Sequence, residues 1–187
     1  KERSRNRETT SFYFDNITAH DKNYNLLTKP YDPYNNDILF DGQLGSLDFR
    51  DGKWNGIFYE EDEEKAKQQG RKQNSGNLIV DFDLPKNKNV SEIAVSCMES
   101  INVGFILHPE SISLYDISSG SEKLISSISI AKSDVDEPDS KKVFKLSLKQ
   151  KNIERVRLKI NSNRSLPKGH VAEGQPAWVF VDEIFLL

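Results

Sequence analysis

The stretch that decides the fold is Leu78-Ile79-Val80-Asp81-Phe82-Asp83-Leu84. Large apolar side chains occupy every second position in it, and two aspartates lie among the residues between them. Successive side chains of a β-strand point to opposite faces of the sheet, so this period of two indicates a strand with one buried and one hydrated face.

The same period of two recurs along the chain. It predicts further strands over residues 93–97, 112–115, 124–130, 144–148 and 155–160. Residues 177–187 are apolar on both faces, which is typical of a strand paired at the centre of a sheet or covered on both sides. We expect five large side chains from these strands to be buried between two sheets: Phe82, Val95, Phe144, Leu158 and Phe180.

Short turn signals separate the strands. They are Asp41-Gly42, Asp51-Gly52, Ser119-Gly120 and Pro138-Asp139. Only the charged residues 60–73 carry a helical pattern, and we expect one or two exposed helical turns there. Many short strands joined by turns predict an all-β chain, folded as an antiparallel sandwich or barrel.

Length and composition limit what the chain can be. Its 187 residues are enough for one domain with a sizeable core, which we assign to residues 25–187, with residues 1–24 as a leader strand or linker. The formal net charge is -3, and acidic and basic residues are mixed along most of the chain, which argues against a nucleic-acid or anionic-membrane surface. No apolar run is long enough to cross a membrane, and the single Cys97 excludes an intramolecular disulfide framework.

The sequence argues against an enzyme. It contains no Gly-x-Ser-x-Gly elbow, no glycine-rich phosphate loop and no His-Glu-x-x-His zinc motif. The three histidines are far apart in the sequence and show no ligand spacing. Asp81 and Asp83 would share one strand face about 7 Å apart, where both are expected to be hydrated.

Three segments, in order, carry a resemblance to a known family. They are residues 28–34, residues 37–46 with Gly52-Lys53-Trp54-Asn55-Gly56, and residues 165–170 with residues 175–184. They resemble the lead-in, the Asp-Gly loop, and the closing loop with last strand of F5/8 type C (discoidin-like) modules, which are similar to family 32 carbohydrate-binding modules. Such modules commonly form the C-terminal domains of bacterial family 20 β-N-acetylhexosaminidases. The resemblance covers residues 28–187 and implies an antiparallel β-sandwich, the galactose-binding-like jelly roll.

The resemblance also implies a structural Ca²⁺ near the Asp-Gly loop. Ca²⁺ takes six to eight oxygen ligands, among them carboxylates, hydroxyls and carbonyls. The matching ligands here are Asp41, Ser46 and Glu183, together with backbone carbonyls of the loop. The alternative is that Asp41 caps a turn and that Glu183 is a hydrated residue of the last strand.

Sugar recognition in such modules needs an aromatic ring for the apolar face of a pyranose and polar groups for its hydroxyls. We expect Trp54 and Tyr59 to supply rings, and Arg164 and His170 of the closing loop to supply polar groups. Core packing of Trp54 and an ordinary surface role for His170 are the alternatives. Two departures from the family leave the ligand open: Gly169 stands where many relatives carry tryptophan, and residues 61–76 resemble an insertion.

The resemblance thus implies a non-catalytic carbohydrate-binding accessory module of a secreted bacterial glycan-degrading protein. We expect weak binding to hexose or N-acetylhexosamine glycans, with a catalytic domain of the parent protein as a second partner. The expected location is extracellular, periplasmic or on the bacterial cell surface. The alternative is a structural docking sandwich without a sugar ligand, which a buried Trp54 and a flat apolar patch would favour.

Overall fold

The computed structural model describes residues 38–40, 42–60, 74–75, 77–86, 89–149 and 152–187. The predicted leader at residues 1–24, the predicted metal ligand Asp41 and residues 61–73 of the predicted helical turns lie outside these ranges. The strands are β1 Asn55–Glu60, β2 Asn74–Ser75, β3 Asn77–Asp83, β4 Glu92–Glu99, β5 Ser111–Asp116, β6 Lys123–Ser129, β7 Ser140–Ser147, β8 Arg155–Asn161 and β9 Trp178–Leu186. A 3₁₀ turn at Ile38–Phe40 and the four-residue helix α1, Ile101–Gly104, complete the described elements.

The strands form two sheets with antiparallel pairing throughout. One sheet has the order β2-β1-β9-β4-β7 and the other has the order β3-β8-β5-β6. The predicted antiparallel β-sandwich is therefore confirmed. The last strand, β9, lies between β1 and β4, which agrees with its apolar character on both faces.

The core lies between the two sheets and is built from the alternating side chains. Phe82 of β3, Val95 of β4 and Leu158 of β8 are fully buried in one continuous cluster, as predicted. Phe144 of β7 packs against the same cluster but is only partly buried, because β7 is an edge strand. Each fully buried side chain of this size contributes roughly 1.5–3 kcal/mol through removal of apolar surface from water.

Phe180 is buried, but on the opposite face of its sheet from the predicted one. Its neighbours Val179 and Val181 take the positions that face the core. Phe180 instead belongs to a second cluster with Phe49, Trp54, Met98 and Ile106. The loop that precedes β1 covers this outer face, so β9 is buried on both sides.

The outer face of the four-stranded sheet is polar and carries ion pairs. Arg157 forms a bidentate pair with Asp81 (2.7 and 2.6 Å) and also contacts Glu122 (2.5 Å). Lys159 donates to the other oxygen of Glu122 (2.7 Å). Among the residues that the structure describes, none of the helices is long and apolar enough to span a membrane.

Candidate functional site

Three connections meet at one end of the sandwich. β4 ends at Glu99, which lies opposite Ser140 at the start of β7, and β5 begins at Ser111, opposite Asn161 at the end of β8. The segments that follow β4, precede β7 and precede β9 therefore lie at the same end. We call this the three-loop end: residues 100–110, 130–139 and 162–177.

Side-chain hydrogen bonds hold these loops together. The Asn102 amide donates to the carbonyl of Val135 (2.8 Å), which ties α1 to the loop before β7. The Lys132 ammonium donates to the hydroxyl of Ser165 (2.9 Å), which ties that loop to the closing loop before β9. The loops thus form one bonded surface.

Phe105, in the first of the three loops, has an unusual backbone conformation. Its φ and ψ angles are 56° and 33°, in the left-handed region that non-glycine residues seldom adopt. Its N–H donates to Ile101 O (3.1 Å), and its carbonyl accepts from Trp178 N–H (2.9 Å), so the conformation is fixed on both sides. Strain of this kind persists where surrounding contacts hold it, and such residues are concentrated at binding sites.

The Phe105 ring is partly open to solvent and has exposed apolar neighbours. The side chain of Phe105 is 37% exposed, while Val103 and Val171 are 67% and 91% exposed. Val103 lies two residues before Phe105, and Val171 follows His170, whose ring meets Phe105 edge-on with 4.9 Å between centroids. Three exposed apolar side chains therefore lie in two of the loops at this end.

His170 packs against the Phe105 ring and is itself buried. Only 5% of the residue is exposed, and both ring nitrogens are in use. Nε2–H donates to the carbonyl of Ile101 (3.2 Å), and Nδ1 accepts from the N–H of Ala172 (2.9 Å). The prediction that His170 contacts a sugar hydroxyl is therefore corrected: the histidine fixes the closing loop to α1 and backs the Phe105 ring.

Trp54 is a core residue of the outer cluster. It is 1% exposed, and its indole Nε1–H donates to the carbonyl of Ser46 (3.2 Å). Its ring lies against Gly45, where a Cβ atom would stand 2.4 Å from the indole. The prediction that Trp54 stacks on a sugar is corrected, because neither face of a ring enclosed in this way is open to a ligand.

The other two predicted sugar-binding residues have different positions. Arg164 is exposed in the closing loop, and therefore at the three-loop end. Tyr59 lies in β1, where its backbone pairs with Ser75 of β2. Its side chain is not among those that the structure describes. Arg164 and His170 thus share one loop as expected, while Phe105, which the sequence analysis did not single out, supplies the exposed ring. Its signal in the sequence, a phenylalanine just before an apolar strand-like run, is too common to be specific.

A buried polar cluster lies under the three-loop end. Glu99 accepts from the N–H of His108 (3.3 Å) and from the hydroxyl of Ser133 (2.8 Å). The His108 ring lies 3.4 Å from Ser140 Oγ and 3.9 Å from Glu99 Oε1, both measured from Nε2. Burial, and secondarily Lys142, lower the pKa of His108 to about 4. In a nucleophilic triad the serine contacts one ring nitrogen of the histidine and the carboxylate contacts the other. Here Ser140 and Glu99 both lie near Nε2 of His108, so the three residues do not form a triad.

The predicted metal ligands are only partly brought together. Glu183 is fully buried, and its Oε2 accepts from the N–H of Gly42 (3.0 Å). Ser46 is exposed, and its hydroxyl accepts from the N–H of Asp48 (3.1 Å) within a local turn. Because Asp41 lies outside the described residues, the complete ligand set stays a prediction. The described residues contain no group of three or more His, Cys, Asp or Glu side chains suited to a metal ion.

The chemistry of this loop does not fit the calcium site as drawn from the sequence. Calcium needs oxygens directed towards it, whereas Gly42 and Gly45 direct N–H groups at the carboxylates of Glu183 and Asp182 (3.0 and 2.7 Å). The carbonyl of Gly45 already accepts from the ammonium group of Lys141. A cationic side chain thus lies where the loop would have offered an oxygen to the metal.

A cavity of about 620 Å³ opens at the opposite end of the sandwich. Polar groups at its rim come from Lys86, Asn89, Ser91, Lys149, Asn152 and Glu154. No aromatic ring lines it among the described residues. Since stacking on a ring is the main apolar contact of a bound pyranose, the three-loop end is the better candidate for sugar recognition.

Comparisons with known proteins give structural neighbours. No family model and no curated protein matches the chain. It is similar to the solved structure of CpGH89CBM32-4 from Clostridium perfringens, in complex with GlcNAc-α-1,4-galactose, with 13% identity, a TM-score of 0.40, and 91% of this chain and 88% of that chain covered. It is also similar to the C-terminal domain of a chitobiase from Bacteroides fragilis (13% identity, TM-score 0.37, 82% of this chain and 79% of that chain). A third is the K2 cleaved adhesin domain of Lys-gingipain (9% identity, TM-score 0.37, 72% and 71% covered).

Proposed function

We propose that the chain is a non-catalytic carbohydrate-binding accessory module of a secreted glycan-degrading protein, and that its sugar site is the three-loop end. The observation that carries this proposal is the partly exposed ring of Phe105, held in a left-handed backbone conformation by bonds on both sides. A ring presented rigidly loses little conformational entropy when it takes up a ligand.

The surroundings of Phe105 suit a weakly bound hexose or N-acetylhexosamine. The ring would take the apolar face of the pyranose, and the exposed Arg164 of the closing loop would meet its hydroxyls. Neighbouring Val103 and Val171 enlarge the apolar area. One small site of this kind gives low affinity, which attachment to a catalytic domain would compensate by raising the effective concentration near the substrate.

Four carboxylates of the sandwich are engaged in structural contacts, in keeping with a non-catalytic role. Asp81 is held by Arg157, and Glu99 is buried against His108 and Ser133. Asp182 and Glu183 are fully buried against backbone N–H groups. A glycosidase needs two carboxyl groups facing a common cleft, about 5–10 Å apart. None of these four offers such a pair.

A docking module without a sugar ligand is the second candidate. Two specific observations favour it: Trp54 is buried, and three apolar side chains of the three-loop end are exposed. The partner would then be a neighbouring catalytic domain of the same parent protein. Phe105 would insert into an apolar contact instead of lying under a sugar ring.

A glycan-array screen with matched variants tests the proposal. Phe105→Ala should abolish binding while the melting temperature stays within about 2 °C of the wild type, because the ring makes few core contacts. Leu124→Ala is the control, since Leu124 is equally apolar and 54% exposed but lies on β6. Loss of binding in both variants, or in neither, would contradict a Phe105 site. Absence of any glycan ligand, together with a catalytic-domain complex that Phe105→Ala disrupts, would establish the docking role.

A further inference from the structure

A β-bulge directs two buried carboxylates at one loop. In the pairing of β4 with β9, Ser96 lies opposite Glu183 and Cys97 lies opposite Val181, which leaves Asp182 as the extra residue of β9. Bulges re-aim side chains, and here Asp182 and Glu183 both reach the loop before β1. Gly45 N–H donates to Asp182 (2.7 Å), and Gly42 N–H donates to Glu183 (3.0 Å).

Burying these two carboxylates is unfavourable unless charge compensates them. Both residues are 0% exposed. Burial raises the pKa of Asp182, whereas Ser96, Lys141 and the N–H of Gly45 oppose that rise. Hydrogen bonds from neutral backbone groups offset part of the desolvation cost, but a nearby positive charge offsets much more of it.

Lys141 supplies a positive charge at this position. It lies on the edge strand β7, opposite Met98 of β4. Its ammonium group donates to the carbonyl of Gly45 and lies 3.4 Å from Asp182 Oδ2. The same nitrogen is 5.4 Å from the centroid of the Trp54 ring, within the range of a cation–π contact. One side chain therefore joins β7, β9 and the loop before β1.

We propose that the Lys141 ammonium is the cation that fixes the loop of residues 42–54 to β9, and that this attachment does not require a metal ion. A divalent ion at the Gly45 carbonyl would lie within a few ångströms of the ammonium group, and like charges at that distance repel. The N–H groups of Gly42 and Gly45 point their positive ends at Glu183 Oε2 and Asp182 Oδ2, so these two loop groups serve the carboxylates directly and not through a metal ion. Lysine occupies the role that the family resemblance gave to calcium.

Thermal melting of the wild type and of matched variants tests this inference. The metal-free wild type should melt at the same temperature, within about 1 °C, in excess calcium and in excess EDTA. Lys141→Met, which keeps the aliphatic stem, should melt about 5 °C lower or more, because it leaves Asp182 buried without its counter-charge. Lys145→Met is the matched control on the same strand, since the pair of Lys145 with Glu92 is exposed on both sides and should change the melting temperature little.

Asp182→Asn separates the charge effect from packing. Combined with Lys141→Met, it should restore part of the lost stability, because neither charge is then left alone. If Lys141→Met does not fold, Lys141→Arg, which keeps the charge, should fold and remain insensitive to calcium. A wild-type melting temperature that falls by several degrees in EDTA would overturn the inference. Equal melting of Lys141→Met and Lys145→Met would overturn it as well.

Discussion

At the scale of single residues, two aromatic rings have opposite roles that their local sequences do not reveal. The indole of Trp54 lies against Gly45, where any side chain would collide with it. Phe105 lies on a backbone turned into the left-handed region, so that part of its ring faces solvent. The role of each ring is set by a residue elsewhere in the fold: a glycine for one, and His170 for the other.

Replacement of Trp54 should therefore affect folding and not sugar recognition. Trp54→Ala is expected to lower the free energy of unfolding by about 3–5 kcal/mol, the usual cost of removing a buried large aromatic side chain. Urea unfolding followed by circular dichroism measures this change. Phe105→Ala is the comparison, because its ring is partly exposed and lies outside the buried clusters, so its stability loss should stay below about 1 kcal/mol. If Trp54→Ala unfolds at the wild-type urea concentration, the ring is not part of the core.

The residues of the candidate site could be predicted only in part, for a physical reason. Sequence resemblance located the closing loop and its Arg164 and His170, but not that both nitrogens of His170 are bonded to the backbone. Trp54 was expected to stack on a sugar, with core packing as the alternative, and long-range packing on Phe180 of β9 buries it. Close approaches between segments more than a hundred residues apart leave no local pattern.

At the scale of elements, the alternation of apolar and polar residues was sufficient to predict most of the strands. The predicted strands at residues 93–97 and 155–160 correspond to β4 and β8, with bounds extended by at most two residues. β1 was not predicted, because apolar and polar residues do not alternate in its sequence, Asn-Gly-Ile-Phe-Tyr-Glu. Its strand conformation depends on pairing with β9 more than on the β-propensity of its own residues. α1 is a single turn, too short for a helical period.

Cross-strand ion pairs on the outer face of the four-stranded sheet should differ in strength. Arg157→Met is expected to lower the free energy of unfolding by about 1–2 kcal/mol, because the bidentate pair is partly buried and the change leaves the buried Asp81 without its cation. Arg155→Met is the control: Arg155 lies 3.6 Å from Asp83, and both side chains are substantially exposed. Urea unfolding of both variants measures the difference. Equal effects would mean that the bidentate geometry adds nothing.

At the scale of the whole molecule, the three-loop end rests on the buried pair of Glu99 and His108. Glu99 bonds to the segment after α1 through His108 N–H and to the loop before β7 through Ser133. The ring of His108 also meets Phe144 of β7 edge-on, with 5.3 Å between centroids. Protonation of His108 would place a charge in the contact that joins the loops to the sandwich.

Stability of the whole domain should consequently depend on pH in a defined window. Burial, aided by Lys142, lowers the pKa of His108 from 6.5 to about 4. Between those two values the unfolded chain binds a proton that the folded chain does not, so stability falls as the pH falls from 6.5 towards 4. The full effect of one such group is about 3 kcal/mol.

Urea unfolding at several pH values measures this slope, and a matched variant assigns it to His108. His108→Gln keeps a polar group that can bond to Ser140 but does not titrate, so its stability should change less between pH 6.5 and pH 4 than that of the wild type. Carboxylates elsewhere titrate in the lower part of this window in both proteins, and their contribution cancels in the difference. Parallel pH profiles for the two proteins would mean that His108 takes up its proton equally well in both states. Burial of the His108 ring would then not disfavour its protonated form.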